Sequence, residues 1–263
     1  MKPPAKPKLL IKAPTRARPD KFKEVFTKYV EYLSNNHPVR FVITCDTDDE
    51  TMNNPEMRSW FDSMATSVQK NGHTLQYHYG DSKNKIEAVN ANMEGQEFDI
   101  LLLFSDDMIP QVKDYDEVIV KAMNYVFPDK DGALNFNDGY RKDWPALMTL
   151  TVMCYDLYKK FGYIYNPDYI SIWADNEQTL ACRMMGKLAD VNVCIIKHVW
   201  VPGNHNEADE LHKRNEAPGL YMKDETVFRE RMDNNFDIPE EDIKFKMGTT
   251  EDGNKFTMVE NDG

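Results

Sequence analysis

Phe98-Asp99-Ile100-Leu101-Leu102-Leu103-Phe104-Ser105-Asp106-Asp107-Met108-Ile109-Pro110 is the stretch that decides how this chain reads. Five consecutive apolar residues, Ile100 to Phe104, suit a strand in the middle of a sheet covered on both faces. The run ends abruptly in two carboxylates, followed by a turn at Pro110. In open α/β sheets, ligands bind beyond the carboxyl ends of the strands. Adjacent carboxylates there repel each other and are costly to desolvate unless a cation or strong donors neutralise them. A hard divalent metal carrying phosphate oxygens meets that need. The plainer alternative is a solvated turn that caps a strand, because Asp is common in turns.

The flanking sequence repeats the pattern. Leu9 to Ala13 reads as a strand, and the turn Pro14 to Pro19 leads into a helix with Phe22, Val25, Phe26, Tyr29, Val30 and Leu33 at helical spacing. Val39 to Cys45 is a second strand, ending in Asp46-Thr47-Asp48-Asp49. A helix over Met57 to Val68 follows, then a third strand marked by Leu75, Tyr77 and Tyr79. The polar turn Gly80 to Lys85 leads to a helical segment through Met93 and so back to the opening strand. Strands alternating with helical periods predict a mostly parallel sheet. Asp46 and Asp106 then fall on the same sheet edge, which says more than either acid alone.

The second half is less regular. Tyr115 to Val126 and Asp175 to Leu188 read as helices, and Ala133 to Phe136 and Met148 to Cys154 as strands of a mixed extension. Val193 to Val201 reads as a strand bearing His198, with helical pieces near Glu207 to Arg214 and Asp224 to Asn234. The expected organisation is a basic, Pro-rich tail over 1–7, one α/β domain over 8–238 and an acidic peripheral tail over 239–263. The domain divides into a ligand-binding half, 8–110, and a catalytic half, 111–238.

Composition bounds the function. At 263 residues the chain can bury one substantial core, and 41% hydrophobic with 29% charged residues fits a globular protein. No apolar run approaches the roughly 18 residues of a membrane span, and no secretory signal is visible. Cys45, Cys154, Cys182 and Cys194 are scattered, without metal-knuckle or redox spacing, which points to a reducing, cytoplasmic setting. A net charge of −12 disfavours a dedicated nucleic-acid binder without excluding contact through the basic amino end. There is no GxGxxG and no P-loop, so dinucleotide binding and ATP hydrolysis of that type are disfavoured.

On these residues the chain resembles a nucleotide-sugar-using glycosyltransferase of the GT-A fold, within the broad family 2, over about residues 8 to 235. Pro14, Thr15, Arg16 and Arg18 sit in a segment similar to that family's first strand-to-helix turn, where base and ribose lie. Asp46 matches the Asp expected to contact the base, and Lys83-Asn84-Lys85 a basic or polar donor-site turn. Phe104 to Pro110 is close to the family's Asp-x-Asp-Asp-x-x-Pro ending, with Phe104 in place of the first acid. The resemblance implies Mn²⁺ or Mg²⁺ held by Asp106, Asp107 and His198, with His205 a substitute for His198. It also implies a nucleotide-diphosphate-sugar donor, UDP-linked by expectation, and a hydroxyl acceptor: glycan, lipid-linked sugar, protein or modified base.

Trp173-Ala174-Asp175-Asn176-Glu177 resembles the segment that supplies the general base in inverting members. Asp175 is the expected base; the competing reading makes it a helix N-cap. In Lys197 to His205, Trp200 replaces the second His of a paired motif, and a lone His198 on a strand is often structural. Trp144, Tyr163, Tyr165, Tyr169, Trp173 and Trp200 are candidate stacking faces, and the turn Asn137 to Tyr140 a candidate rim. Two other functions stay open: a catalytically degenerate nucleotide-sugar or glycan-binding protein on this fold, and a sugar-phosphate nucleotidyltransferase. The Pro14 to Pro19 turn has two Arg but lacks the Gly-rich phosphate turn the last one needs.

Overall fold

Strand β1 (Leu9–Thr15) forms the axis of the sheet in the computed structural model, which describes residues 6–140, 147–199, 218–249 and 256–260. β2 (Val39–Asp46) and β4 (Ile100–Leu103) flank it, both parallel, and β3 (Thr74–Gly80) adds parallel to β2. β7 (Val152–Cys154) runs antiparallel to β4, and β6 (Ala133–Phe136) antiparallel to β7. β8 (Leu188–Val191) closes the edge parallel to β6, giving the order β3-β2-β1-β4-β7-β6-β8. The result is one α/β unit with a largely parallel central sheet.

The order reverses at β1, because the chain builds outward through β2 and β3 and then returns to place β4 on the other side. A crevice opens beyond the carboxyl ends of strands at such a switch point. The segments there are those after Thr15 and after Leu103.

Alternation along the strands divides the core. From β1, Leu9, Ile11 and Ala13 join one apolar cluster, and Leu10 the other. The first cluster is covered by α1 (Pro19–Glu31), α2 (Pro55–Gln69) and α4 (Tyr115–Val126), through Phe22, Phe26, Phe61, Tyr115 and Ile119. The second is covered by α3 (Lys85–Asn90), α5 (Tyr155–Phe161), α6 (Ala174–Met184) and α7 (Pro218–Asp233), through Ile86, Leu157, Cys182 and Phe228. Each fully buried large apolar side chain contributes about 1.5–3 kcal/mol. Pro stands in the first turn of α1 and of α2, and Asn54 and Asn84 cap α2 and α3 by accepting from Met57 N (2.9 Å) and Glu87 N (2.8 Å).

Several boundaries differ from the sequence reading. Pro110 lies in β5 (Met108–Pro110), which pairs antiparallel with β9 (Ile196–His198); the missing Pro N–H is tolerated because this ladder has only two strands. The strand expected over Met148 to Cys154 shortens to β7; of the strand expected over Val193 to Val201, the described residues hold β9, and 200–201 lie outside them. α5 and β8 were not anticipated, α5 being short and β8 mostly half-buried with little alternation. Residues 239–263, expected as a peripheral strand or a tail, include the antiparallel pair β10 (Phe245–Thr249) and β11 (Phe256–Glu260). Ile243 is buried in the second cluster, and Lys244 N donates to Met184 O (2.8 Å). The helix expected near 207–214 lies outside the described residues. No described helix is long and apolar enough to cross a membrane.

Candidate functional site

The loop after β1 carries Arg16 and Arg18, with Ala17 in the left-handed region (φ 62°). Asp49 Oδ2 accepts from Ala17 N (2.7 Å) and holds that bend beside the end of β2. Arg16 donates to Asp46 Oδ2 (2.8 Å) and to both oxygens of Asp48 (2.5 and 3.0 Å), so its guanidinium ties the first two strand ends together. These carboxylates hold the Arg16 pKa above its ordinary value, against the opposing effect of burial.

Asp106 and Asp107 follow β4 but point to different partners. Arg18 Nη1 donates to Asp106 Oδ1 (3.0 Å), and Lys21 Nζ lies 3.9 Å from the same oxygen. Burial pushes the Asp106 carboxyl pKa up, aided by the negative charge of Asp107 and opposed by Arg18 and Lys21. Asp107 Oδ2 lies 3.4 Å from His198 Nε2, and Ser105 Oγ donates to Asp107 Oδ1. Burial alone would raise the Asp107 pKa too, but His198, Ser105 and the charge of Lys85 hold it well below the usual carboxylate range. The β5–β9 ladder sets this pair: Met108 is registered with His198, and Val199 N donates to Asp107 O (2.8 Å).

The acids and the imidazole expected to hold a metal divide into two groups. Among the described residues no three His, Cys, Asp or Glu side chains converge as a metal cage. Asp106 is engaged by two cations, while Asp107 and His198 face each other. His205 lies outside the described residues. Phe104, in the position where an acid was expected, is 1% exposed and packs on Tyr29 (ring centroids 4.1 Å) and Phe22 (6.4 Å). The departure from the family pattern thus belongs largely to the aromatic core.

Asp175 is the second residue of α6 and does not cap it. The N-cap is Trp173, in a left-handed conformation (φ 66°) without a side-chain cap bond. Asp175 Oδ1 accepts from Asn176 N (3.0 Å), leaving its other oxygen without a described hydrogen bond. Glu177 is committed elsewhere, accepting from Tyr169 (2.8 Å), Asn166 (3.1 Å) and Arg231 (2.7 and 3.0 Å).

All these elements meet at one cavity of about 710 Å³, beyond the β1/β4 switch point. It is lined by every described residue that the sequence reading singled out for donor, metal or base roles: Pro14, Thr15, Arg16, Arg18, Asp46, Lys83, Asn84, Asp106, Asp107, Asp175 and His198. The Asn84 side-chain oxygen is used to cap α3, so only its amide nitrogen remains for a ligand. Thr15 Oγ1 and Asp46 Oδ1 are buried without a hydrogen-bond partner among the described residues, at the wall where a ligand would meet them. Of the candidate stacking rings, Trp173 and Tyr165 line the cavity. Tyr169 is buried in the core, Tyr163 does not line the cavity, and Trp144 and Trp200 lie outside the described residues.

Sequence reasoning missed Ser82, Thr149, Ser171, Leu220 and Tyr221, which also line it. It missed Asp224 as well, which is fully buried and accepts from three successive backbone N–H groups, Ile170 (3.0 Å), Ser171 (2.8 Å) and Ile172 (2.9 Å). No local signal marks it, because Asp224 is one acid among several on a mixed-charge helix, and its partners lie more than 50 residues away.

No protein-family profile matches the chain, and no curated protein matches it. Solved structures do. The mannosyltransferase PcManGT from Pyrobaculum calidifontis, in complex with GDP-Man and Mn²⁺, superposes with a TM-score of 0.58 at 13% identity, over 88% of this chain and 76% of that one. Staphylococcus aureus TarS 1–349 in complex with UDP-GlcNAc gives 0.53 at 11%, over 89% and 74%. The glycosyltransferase GlyE of Streptococcus pneumoniae gives 0.51 at 8%, over 88% and 64%. Against another TarS structure the match spans 37% of that chain. At these identities the likeness is one of fold: this chain has a glycosyltransferase-like, Rossmann-like α/β architecture.

Proposed function

We propose that this chain is a GT-A-type, metal-dependent, inverting glycosyltransferase that moves a hexosyl group from a nucleotide-diphosphate donor, UDP-linked by preference, to an acceptor hydroxyl. One observation carries the reading. Cations from the loops after β1 and β3, the acids after β4, and Asp175 on α6 all line a single cavity at the switch point. The three neighbouring folds, two of them solved with nucleotide sugars, support it.

In this reading Thr15 and Asp46, each with an unpartnered buried oxygen, receive the nucleoside, and Arg16, Arg18, Lys83 and Lys85 offset the diphosphate charge. Asp175 accepts the proton of the acceptor hydroxyl as its oxygen bonds to the anomeric carbon. The bond from that carbon to the diphosphate breaks, and the nucleoside diphosphate leaves with the electron pair. Asp107 and His198, an apposed carboxylate and imidazole, fit a divalent cation as two of its ligands, with Asp106 beside them. Mn²⁺ or Mg²⁺ bound there supplies positive charge to the leaving group.

A panel of UDP- and GDP-sugars with Mn²⁺, read by nucleoside diphosphate release, tests the proposal. Release with at least one donor, lost in Asp106→Asn, is expected; unchanged release across a metal titration would remove the metal assignment. The second reading, a binding protein on this fold, is favoured by Phe104 and by the Arg18–Asp106 pair. Thermal stabilisation by a sugar nucleotide without any turnover would select it.

A further inference from the structure

The cavity has one wall that the donor reading leaves unused. It is built from residues 170–173 and from Leu220 and Tyr221 on α7. The Tyr221 ring is 45% exposed, and Trp173 stands against it edge-on at 5.6 Å. Trp173 also packs on Phe228 (4.9 Å), so the pair rests on the second core.

This wall is fixed by design of the chain. Asp224, one turn along α7 from Tyr221, draws Ile170 N, Ser171 N and Ile172 N onto its carboxylate. Three backbone donors gathered on one buried carboxylate hold this segment in place. The same clamp leads directly into the left-handed Trp173 and then Asp175, so ring platform and proposed base are positioned by one helix.

The chemistry of the wall is that of an uncharged, hydroxyl-bearing ring. Its described residues Ile170, Ser171, Ile172, Trp173, Leu220 and Tyr221 carry no charge. The lining cations lie on the loops after β1 and β3 and at the start of α3: Arg16 and Arg18 pair with Asp46 and Asp106, and Lys85 acts on Asp107. Ser171 lines this wall, and its Oγ and the Trp173 Nε1 are shielded from solvent. An exposed aromatic face on an uncharged wall matches a pyranose, whose C–H face stacks on it.

We infer that Tyr221 and Trp173 form the acceptor subsite, and that it takes a neutral pyranose ring rather than a phosphorylated sugar or a peptide hydroxyl. The inference rests on the sugar-transfer reading for its role, but binding tests it separately. The probes are methyl glucoside, galactoside, mannoside and N-acetylglucosaminide, with glucose 6-phosphate and a Ser/Thr peptide as the charged and non-sugar arms. They are titrated into the full-length protein with saturating UDP or GDP and Mn²⁺, following the indole N–H resonance of Trp173, assigned by Trp173→Phe.

A saturable shift with at least one neutral pyranoside is expected, weakened about tenfold, or about 1.4 kcal/mol, in Tyr221→Ala and retained in Tyr221→Phe. Nucleotide affinity measured by calorimetry stays unchanged in Tyr221→Ala. The subsite is overturned if no neutral pyranoside shifts the resonance, if only the phosphosugar or the peptide does, or if Tyr221→Ala leaves pyranoside affinity intact. Failure of the sugar-transfer reading looks different: the wild-type protein then releases no nucleoside diphosphate from any sugar nucleotide, whatever the pyranosides do.

Discussion

Asp175 and Lys12 show how differently two ionisable residues can be used. Asp175 lies at the cavity with one oxygen bonded to Asn176 N. Asp175→Asn keeps that bond but loses the proton acceptor, and general-base removal costs about 10²–10⁴-fold in rate. Transfer is expected to fall by that factor while calorimetric donor affinity holds; equal loss of both would refute the base assignment. Lys12, at 0% exposure on β1, bonds Thr44 Oγ1, which in turn donates to Asn92 Oδ1 (2.8 Å). Burial pushes its ammonium pKa from 10.5 down to about 7, the nearby Cys45 opposing weakly. Between about pH 7 and 10.5 the unfolded chain holds this proton and the folded one does not, so stability rises with pH across that window. The rise is at most roughly 1.4 kcal/mol per pH unit. Urea titrations should show it in the wild type and show it diminished in Lys12→Met, which should also be the more stable protein below pH 7. Parallel pH curves for the two proteins would contradict the buried-cation account.

At the scale of elements, α7 decides how the far wall of the cavity stands. It is fastened at two points, by Asp224 on residues 170–172 and by Arg231, whose guanidinium meets Glu177 on α6 (2.7 and 3.0 Å) and Asp237 (2.8 Å). Glu177 is 3% exposed, so removing its cation leaves a buried carboxylate with only Tyr169 and Asn166 as donors. Arg231→Ala is expected to cost about 3–5 kcal/mol in urea unfolding, and Arg231→Met with Glu177→Gln to recover most of it. A loss under about 1 kcal/mol for the single variant would mean the pair is effectively solvated. The β5–β9 ladder acts similarly on the other side, since two three-residue strands bring His198 within 3.4 Å of Asp107.

For the whole molecule, two apolar core clusters pack against the sheet, while the cavity offers a site through which a ligand can add stability. A nucleotide bound only by the folded state, at 100 times its Kd, adds about 2.7 kcal/mol. UDP or GDP with Mn²⁺ should therefore raise the urea midpoint. Because Arg16, Arg18, Lys83 and Lys85 line the cavity, the nucleotide affinity should weaken as salt rises from 0.05 to about 0.5 M. An unmoved midpoint at millimolar nucleotide would count against the whole functional reading. The strands Leu9–Thr15, Val39–Asp46 and Ile100–Leu103 were legible because burial on both faces writes itself as a run of apolar residues. β8 and α5 were not, because short elements carry too few residues to show a period.

The sequence by itself determined the parallel strands, their acidic ends and hence the sheet edge where a ligand belongs, because hydrophobic periodicity and strand termini are local properties. Only the tertiary structure decided that Asp106 turns to Arg18 while Asp107 turns to His198, that Phe104 joins the aromatic core, and that Asp224 anchors the wall before Asp175. Those pairings join residues tens of positions apart, and their geometry is set by how helices and strands pack rather than by any spacing along the chain.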